Sequence, residues 1–198
     1  MACGVASIVG ALKEMMDLRG KRPPGQRATT LRDVSGPARS RESRRISLRI
    51  RRVRPADVAR VVALDRRVTG LAKARYWQDI FGRYGKRRPR DQFFLIAEPL
   101  GPKTATKLLG FIIGEVRAWE FGSSPCGWVF ALSVEPGARL QGIGEALFNA
   151  IAAEFKRAGV TKVRTMVARD SPLPMVFFRS QGMVAGPYIQ LEMELGRL

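Results

Sequence analysis

The 198-residue chain contains no histidine. Ser-His-Asp and Cys-His hydrolysis are therefore excluded, as are zinc sites with imidazole ligands. Cysteine is scarce: Cys3 and Cys126 lie far apart in unlike contexts, which argues against a disulfide scaffold and for a reducing compartment. Cys126, in Ser-Pro-Cys-Gly with no base in sight, reads as a structural thiol. No apolar run approaches the roughly 18 residues of a membrane span. Stretches 108–114 and 128–134 read instead as buried strands, so a soluble, cytoplasmic protein is expected. Acidic residues are few, 17 against 35 Lys and Arg, a formal charge of +18. Such an excess attracts nucleic acid, ribosomes or anionic membrane with steep salt dependence; solubility or an Arg-rich genome explains it equally well.

What is present divides the chain in two. Residues 1–44 are dominated by Gly, Pro, Ser, Thr and Arg and cannot bury enough apolar area to offset their ordering entropy, so a disordered basic extension is expected. Three readings stay open: a tail for an acidic partner such as nucleic acid or the ribosome, a targeting peptide, or sequence upstream of a true start at Met15 or Met16. Glu14, Asp17, Asp33 and Glu42 count against a targeting peptide.

Residues 45–198 read as one domain. Ile46, Leu48 and Ile50 alternate with polar residues as a strand. Val58, Val61, Val62, Asp65 and Val68 form a helical stripe ending at Thr69-Gly70, and Tyr76, Trp77, Ile80 and Tyr84 mark a second helix. Strands follow at 93–98, 108–119 and 128–134. A helix then carries Ile143, Leu147, Ile151 and Phe155, with Gly159 at its C-terminal cap. A strand at 161–168, a short helix at 173–180 and a last strand at 188–195 complete the order.

The most informative segment is 131–148, where an apolar strand enters a glycine-spaced turn that opens an amphipathic helix. A helix start exposes N–H groups without intrahelical partners and the positive end of the macrodipole, which suits a diphosphate. Gly142 and Gly144 allow close approach, and Arg139 adds a cation. Neither G-x-G-x-x-G nor G-x-x-x-x-G-K-[ST] fits. What fits is R-x-x-G-x-G at Arg139, Gly142 and Gly144, preceded by Leu132-Ser-Val-Glu-Pro136. This segment resembles the acetyl-coenzyme A signature of the GNAT superfamily of N-acetyltransferases, and the element order over 46–198 is that of its α/β fold, a mixed, mostly antiparallel sheet flanked by helices.

The resemblance implies an acetyl-CoA-dependent N-acetyltransferase without metal, acting on a primary amine, with a protein or peptide amine slightly ahead of a small molecule. It places the cofactor along Leu132, Ser133 and Val134, on the turn Arg139, Leu140, Gln141, Gly142, Ile143 and Gly144, and beside Ser171, Phe177 and Phe178. The Val134 backbone N–H is the implied oxyanion donor. Many relatives carry a tyrosine where this chain has Phe178, so the hydroxyl that protonates the departing thiolate is missing; such groups contribute about 10² to 10⁴. Taken alone, Phe177 and Phe178 read as core. By resemblance Glu115 is the best-placed general base, ahead of Glu120 and Glu98, and Thr69, Tyr76 and Tyr188 are expected around the acceptor. The alternative function is a basic nucleic-acid- or ribosome-binding module on the same scaffold, drawing on the extension and the Arg51-Arg52 and Arg87-Arg88 pairs.

Overall fold

Alternation of Leu48 and Ile50 with Arg49 and Arg51 builds β1 (Leu48–Arg52), the outer strand of a five-stranded sheet. The structure, a computed structural model, describes residues 46–86, 90–101 and 107–195. The expected extension and the Arg87-Arg88 pair lie outside them. β1 pairs antiparallel with β2 (Gln92–Pro99), β2 with β3 (Gly110–Arg117) and β3 with β4 (Cys126–Val134), while β5 (Val163–Arg164) runs parallel to β4.

Helices cover both faces. α1 (Val58–Thr69) ends where Gly70 turns left-handed at φ 74°, and α2 (Ala74–Ile80) runs on into a π-helical turn, Phe81–Lys86. Their apolar sides bury Leu64, Trp77, Phe94, Ile96, Phe111 and Ile113 against the sheet. On the opposite face α3 (Ile143–Arg157) presents Ile143, Leu147, Ile151 and Phe155, spaced four apart, to Leu95, Ile112 and Leu132. Ile151 is fully buried, so its truncation to Ala is expected to cost about 2–5 kcal/mol. α4 (Pro172–Ser180) closes that face through Phe178.

Two expected strands differ. Of 161–168 only Val163 and Arg164 pair, and 188–195 forms no strand, leaving Ile189, Leu191, Met193 and Leu195 exposed. Alternation assigns side chains to faces, but a strand also needs a neighbour for its backbone groups, and β5 offers only two residues.

The Arg51-Arg52 pair is not a free basic surface. Arg51 bridges the buried Asp57 (2.7 Å) and Glu98 (2.9 Å), while Arg52 donates to the Gln92 carbonyl, lies over the Phe93 ring and pairs with Glu154. Burial acts against the Asp57 carboxylate, but hydrogen bonds from Arg51, Arg60 and the Arg54 N–H hold its pKa below the usual value. This cluster fixes the first turn of α1 to the sheet.

Candidate active site

β4 carries the site because of one extra residue. The register steps from Ile113↔Ala131 to Gly114↔Val129, so Phe130 has no partner on β3 and forms a bulge. Its consequence is a change of side for the backbone groups. The Gly127 N–H donates toward β5, to the Lys162 carbonyl, whereas the Glu135 N–H donates toward β3, to the Leu109 carbonyl. Since successive residues of a strand face opposite neighbours, the Val134 N–H points to the edge away from β3. β5 pairs only with Gly127 and Trp128, so among the described residues that edge is open from Val129 to Val134. A backbone donor therefore faces an unpaired strand edge.

From this edge the chain runs through a 3-10 turn, Pro136–Ala138, to the start of α3. Gly142 is its N-cap with φ 79°, a left-handed conformation that would strain any other residue, and a Cβ there would meet nothing within 4 Å. Leu140 is left-handed as well (φ 62°) and almost wholly exposed, a conformation that costs a leucine about 1–2 kcal/mol. The first intrahelical bond comes from the Ala146 N–H to the Gly142 carbonyl, so the N–H groups of Ile143, Gly144 and Glu145 have no partner within the helix. Arg139 is half-buried; desolvation lowers its pKa and nearby Glu135 opposes this, but a guanidinium stays charged at neutral pH. Donors, macrodipole and cation together suit an anionic ligand.

Gly144 has a second reason for being glycine. A Cβ there would lie 3.1 Å from the Phe177 ring, so α4 packs directly on the turn. Ser171, buried, is the N-cap of α4. Phe178 needs correcting as a cofactor contact: it is core, packed edge-on to Phe148, because α4 turns that side inward and Phe177 toward the glycine turn.

The α1 side of β4 carries a second set of polar groups. Ser133 lies there beside Phe111, and its Oγ is the one buried side-chain oxygen or nitrogen without a partner among the described residues. Glu135, also on this side, receives Arg67 of α1 through two guanidinium nitrogens (2.7 and 3.1 Å). Arg67 is half exposed, so the pair is worth about 1 kcal/mol or less. Glu135 was not singled out in the sequence; its place directly after Val134 on a solvent-reachable strand end was the available signal. Nearby, Asp65 is fully buried, accepting from Trp77 Nε1 (2.8 Å) and pairing with Lys73 (2.9 Å). Thr69 donates to the Asp65 carbonyl, and Tyr76 packs on Trp77. Thr69 thus bonds the residue that also holds Trp77, on which Tyr76 packs.

Glu115 and Tyr188 are elsewhere. Glu115 pairs across to Trp128, six residues along β4 from Val134, roughly 20 Å at strand rise. Its oxygens are held by the Tyr84 hydroxyl (2.6 Å) and Arg117 (2.9 Å). A general base must reach its proton directly or through one water, and for an amine at Val134 Glu115 lies too far along the sheet to do so. Burial and Glu115 together push the Tyr84 pKa up, which keeps it a donor. Tyr188 stacks on Arg164, opposite Trp128, at the same far end. Glu120 sits there too, beside Arg117, and Glu98 is committed to Arg51.

A sequence profile of the Acetyltransferase (GNAT) family matches residues 58–182, more than half the chain. The protein belongs to the GNAT acetyltransferase family. It is an acyltransferase by that membership, and its sheet and helix order match solved members at low identity. Aminoglycoside N-acetyltransferase AAC(6')-Iy in complex with CoA superposes with TM-score 0.64 at 13% identity, covering 76% of this chain and 96% of that one. Aminoglycoside 6'-N-acetyltransferase AAC(6')-Ih from Acinetobacter baumannii gives 0.62 at 14%, covering 76% and 100%. Glucosamine-6-phosphate N-acetyltransferase from Arabidopsis thaliana gives 0.59 at 16%, covering 75% and 99%. No curated protein matches significantly by sequence. No helix among the described residues is long and apolar enough to cross a membrane.

Proposed function

We propose that this GNAT protein moves the acetyl group of acetyl-CoA to a primary amine by direct attack within a ternary complex. The observation that carries the reading is the Phe130 bulge, which turns the Val134 N–H to an open strand edge just before the turn that leads into a helix start without a side-chain cap. The N–H groups of Ile143, Gly144 and Glu145, with Arg139, hold the diphosphate. The edge of Leu132, Ser133 and Val134 holds the pantetheine arm, and Ser171 and Phe177 of α4 form the opposite wall.

The reaction then follows from position. A neutral amine nitrogen forms a bond to the thioester carbonyl carbon, the carbonyl oxygen gains negative charge, and the Val134 N–H donates to it. Such preorganised donors are worth about 3–4 kcal/mol at the transition state. The C–S bond breaks as the carbonyl re-forms, the nitrogen, cationic after attack, gives up its extra proton to water, and the thiolate takes one from water, since Phe178 offers none. An alkylammonium with a pKa of about 10.4 must first lose its proton. Glu135, adjacent to the oxyanion donor and on the acceptor side, is the carboxylate placed to guide that ammonium and, through water, to receive the proton. Holding both reactants together replaces a chance encounter with a positioned step.

The test is calorimetry with acetyl-CoA followed by thiol release over a broad panel of amines. Saturable binding and amine-dependent release are expected; no binding and no release would overturn the proposal. The alternative of a nucleic-acid-binding module loses the Arg51-Arg52 pair, whose guanidinium groups are already committed. The extension's role as a tail for an acidic partner rests on composition alone.

A further inference from the structure

The carboxylates on the α1 side of the sheet are not equivalent. Asp57 and Glu98 are buried and held by Arg51, with Arg60 on Asp57 as well, and Asp65 is buried and held by Lys73. Removing any of these cations would leave a charge stranded in low dielectric, so a guest cation has little to gain there. Arg67–Glu135 is different. It joins the C-terminal turn of α1 to the residue after Val134, and Arg67 is 50% exposed while Glu135 is 16% exposed. An exposed guanidinium can leave such a pair at little cost.

Resting on the acetyl transfer proposed above, we propose that Arg67–Glu135 is the receptor for the acceptor, and that the acceptor carries an anionic group beside its amine. When the acceptor binds, its ammonium takes the Glu135 carboxylate and its anion takes the Arg67 guanidinium, each charge exchanging one partner for another. A guanidinium fork suits a carboxylate or phosphate through two parallel bonds. A polycation brings a second positive charge against Arg67 and an overall charge of +18, and the buried carboxylates among the described residues, Asp57, Asp65 and Glu98, are already paired. The acceptor class is therefore an amine with an acidic neighbour, of which a phosphorylated amino sugar and the N-terminus of an acidic peptide are two sources.

The experiment compares kcat/KM for glucosamine, glucosamine 6-phosphate, neamine and an acidic peptide with a free N-terminus, using the full chain and its Arg67→Gln and Arg67→Lys variants. Wild type should favour one of the two anionic amines over glucosamine by roughly tenfold or more, the size of one charge-assisted bond. Which of them leads identifies the source. Arg67→Gln should erase that ratio through KM and improve neamine relative to wild type, and Arg67→Lys should restore part of the ratio. Neamine leading in wild type, or a ratio unmoved by Arg67→Gln, would overturn the inference. Acetyl-CoA binding without turnover of any of the four amines would overturn it too, leaving the cofactor site standing. No binding of acetyl-CoA at all would instead remove the acetyltransferase reading beneath it.

Discussion

The two ends of β4 are engaged differently. At the Trp128 end every group is engaged: β5 takes the backbone, Tyr84 and Arg117 take Glu115, and Arg117 lies over the Trp128 ring. At the Val134 end, among the described residues, the edge is open, Ser133 Oγ has no partner, and Glu135 is held by one half-exposed arginine. Between them stands a single unpaired residue, Phe130. The closed end stabilises the sheet, while the open end leaves polar groups for a ligand, and a buried unpaired hydroxyl is tolerated where something else will satisfy it.

The comparison is broken most severely at the glycine turn. Gly142→Glu sets a carboxylate against the expected diphosphate, and like charges in contact cost several kcal/mol, so acetyl-CoA affinity should fall about a thousandfold. Unchanged affinity by calorimetry would place the cofactor elsewhere. Next comes the anchor of α1, which presents Arg67. Arg51→Met removes the closest cation from buried Glu98 and leaves Asp57 only Arg60 and the Arg54 N–H, and should cost roughly 3 kcal/mol in denaturant unfolding. Because the folded Asp57 pKa is depressed, its contribution is present above its ordinary value of 3.8 and fades as pH falls through the folded value. Wild type should therefore lose stability below about pH 4, and the variant should lose less over that window; identical acid slopes would contradict this account of the cluster.

The paired substitutions Glu135→Gln and Glu115→Gln contrast the two ends directly. The first should lower kcat about a hundredfold with little change in melting temperature, and the second should lower the melting temperature while leaving kcat within a few-fold. The reverse pattern would restore Glu115 as the base. The smallest effect is at Leu140. Replacing it by Gly relieves a left-handed φ worth about 1 kcal/mol, partly offset by the freer unfolded chain. Stability should hold or rise slightly on thermal unfolding, and a clear loss would mean that the exposed leucine packs on something.

Much of this was legible beforehand. The glycine turn, α3 with its four-residue apolar spacing and the three central strands all stand where local pattern puts them, because local chemistry decides them. The distance of Glu115 from Val134 was not legible, because it depends on where along β3 Glu115 pairs, and cross-strand register is a tertiary property. The Phe130 bulge has no signature of its own: Phe130 is an aromatic in an apolar run, and only counting pairs on both sides reveals the extra residue. Phe178 and Phe177 are adjacent in sequence, and their division between core and site follows from how α4 is rotated. The stretch 188–195 alternates like a strand, but alternation says nothing about whether a neighbour exists.

The central claim is that the bulge aims the Val134 N–H at the acyl group. Amide NMR of the protein titrated with acetyl-CoA and then with CoA tests it most directly. The Val134 amide should shift and exchange more slowly with acetyl-CoA than with CoA, while the Trp128 and Glu115 amides stay put. Shifts confined to the Trp128 end, or a Val134 amide blind to the acetyl group, would contradict it.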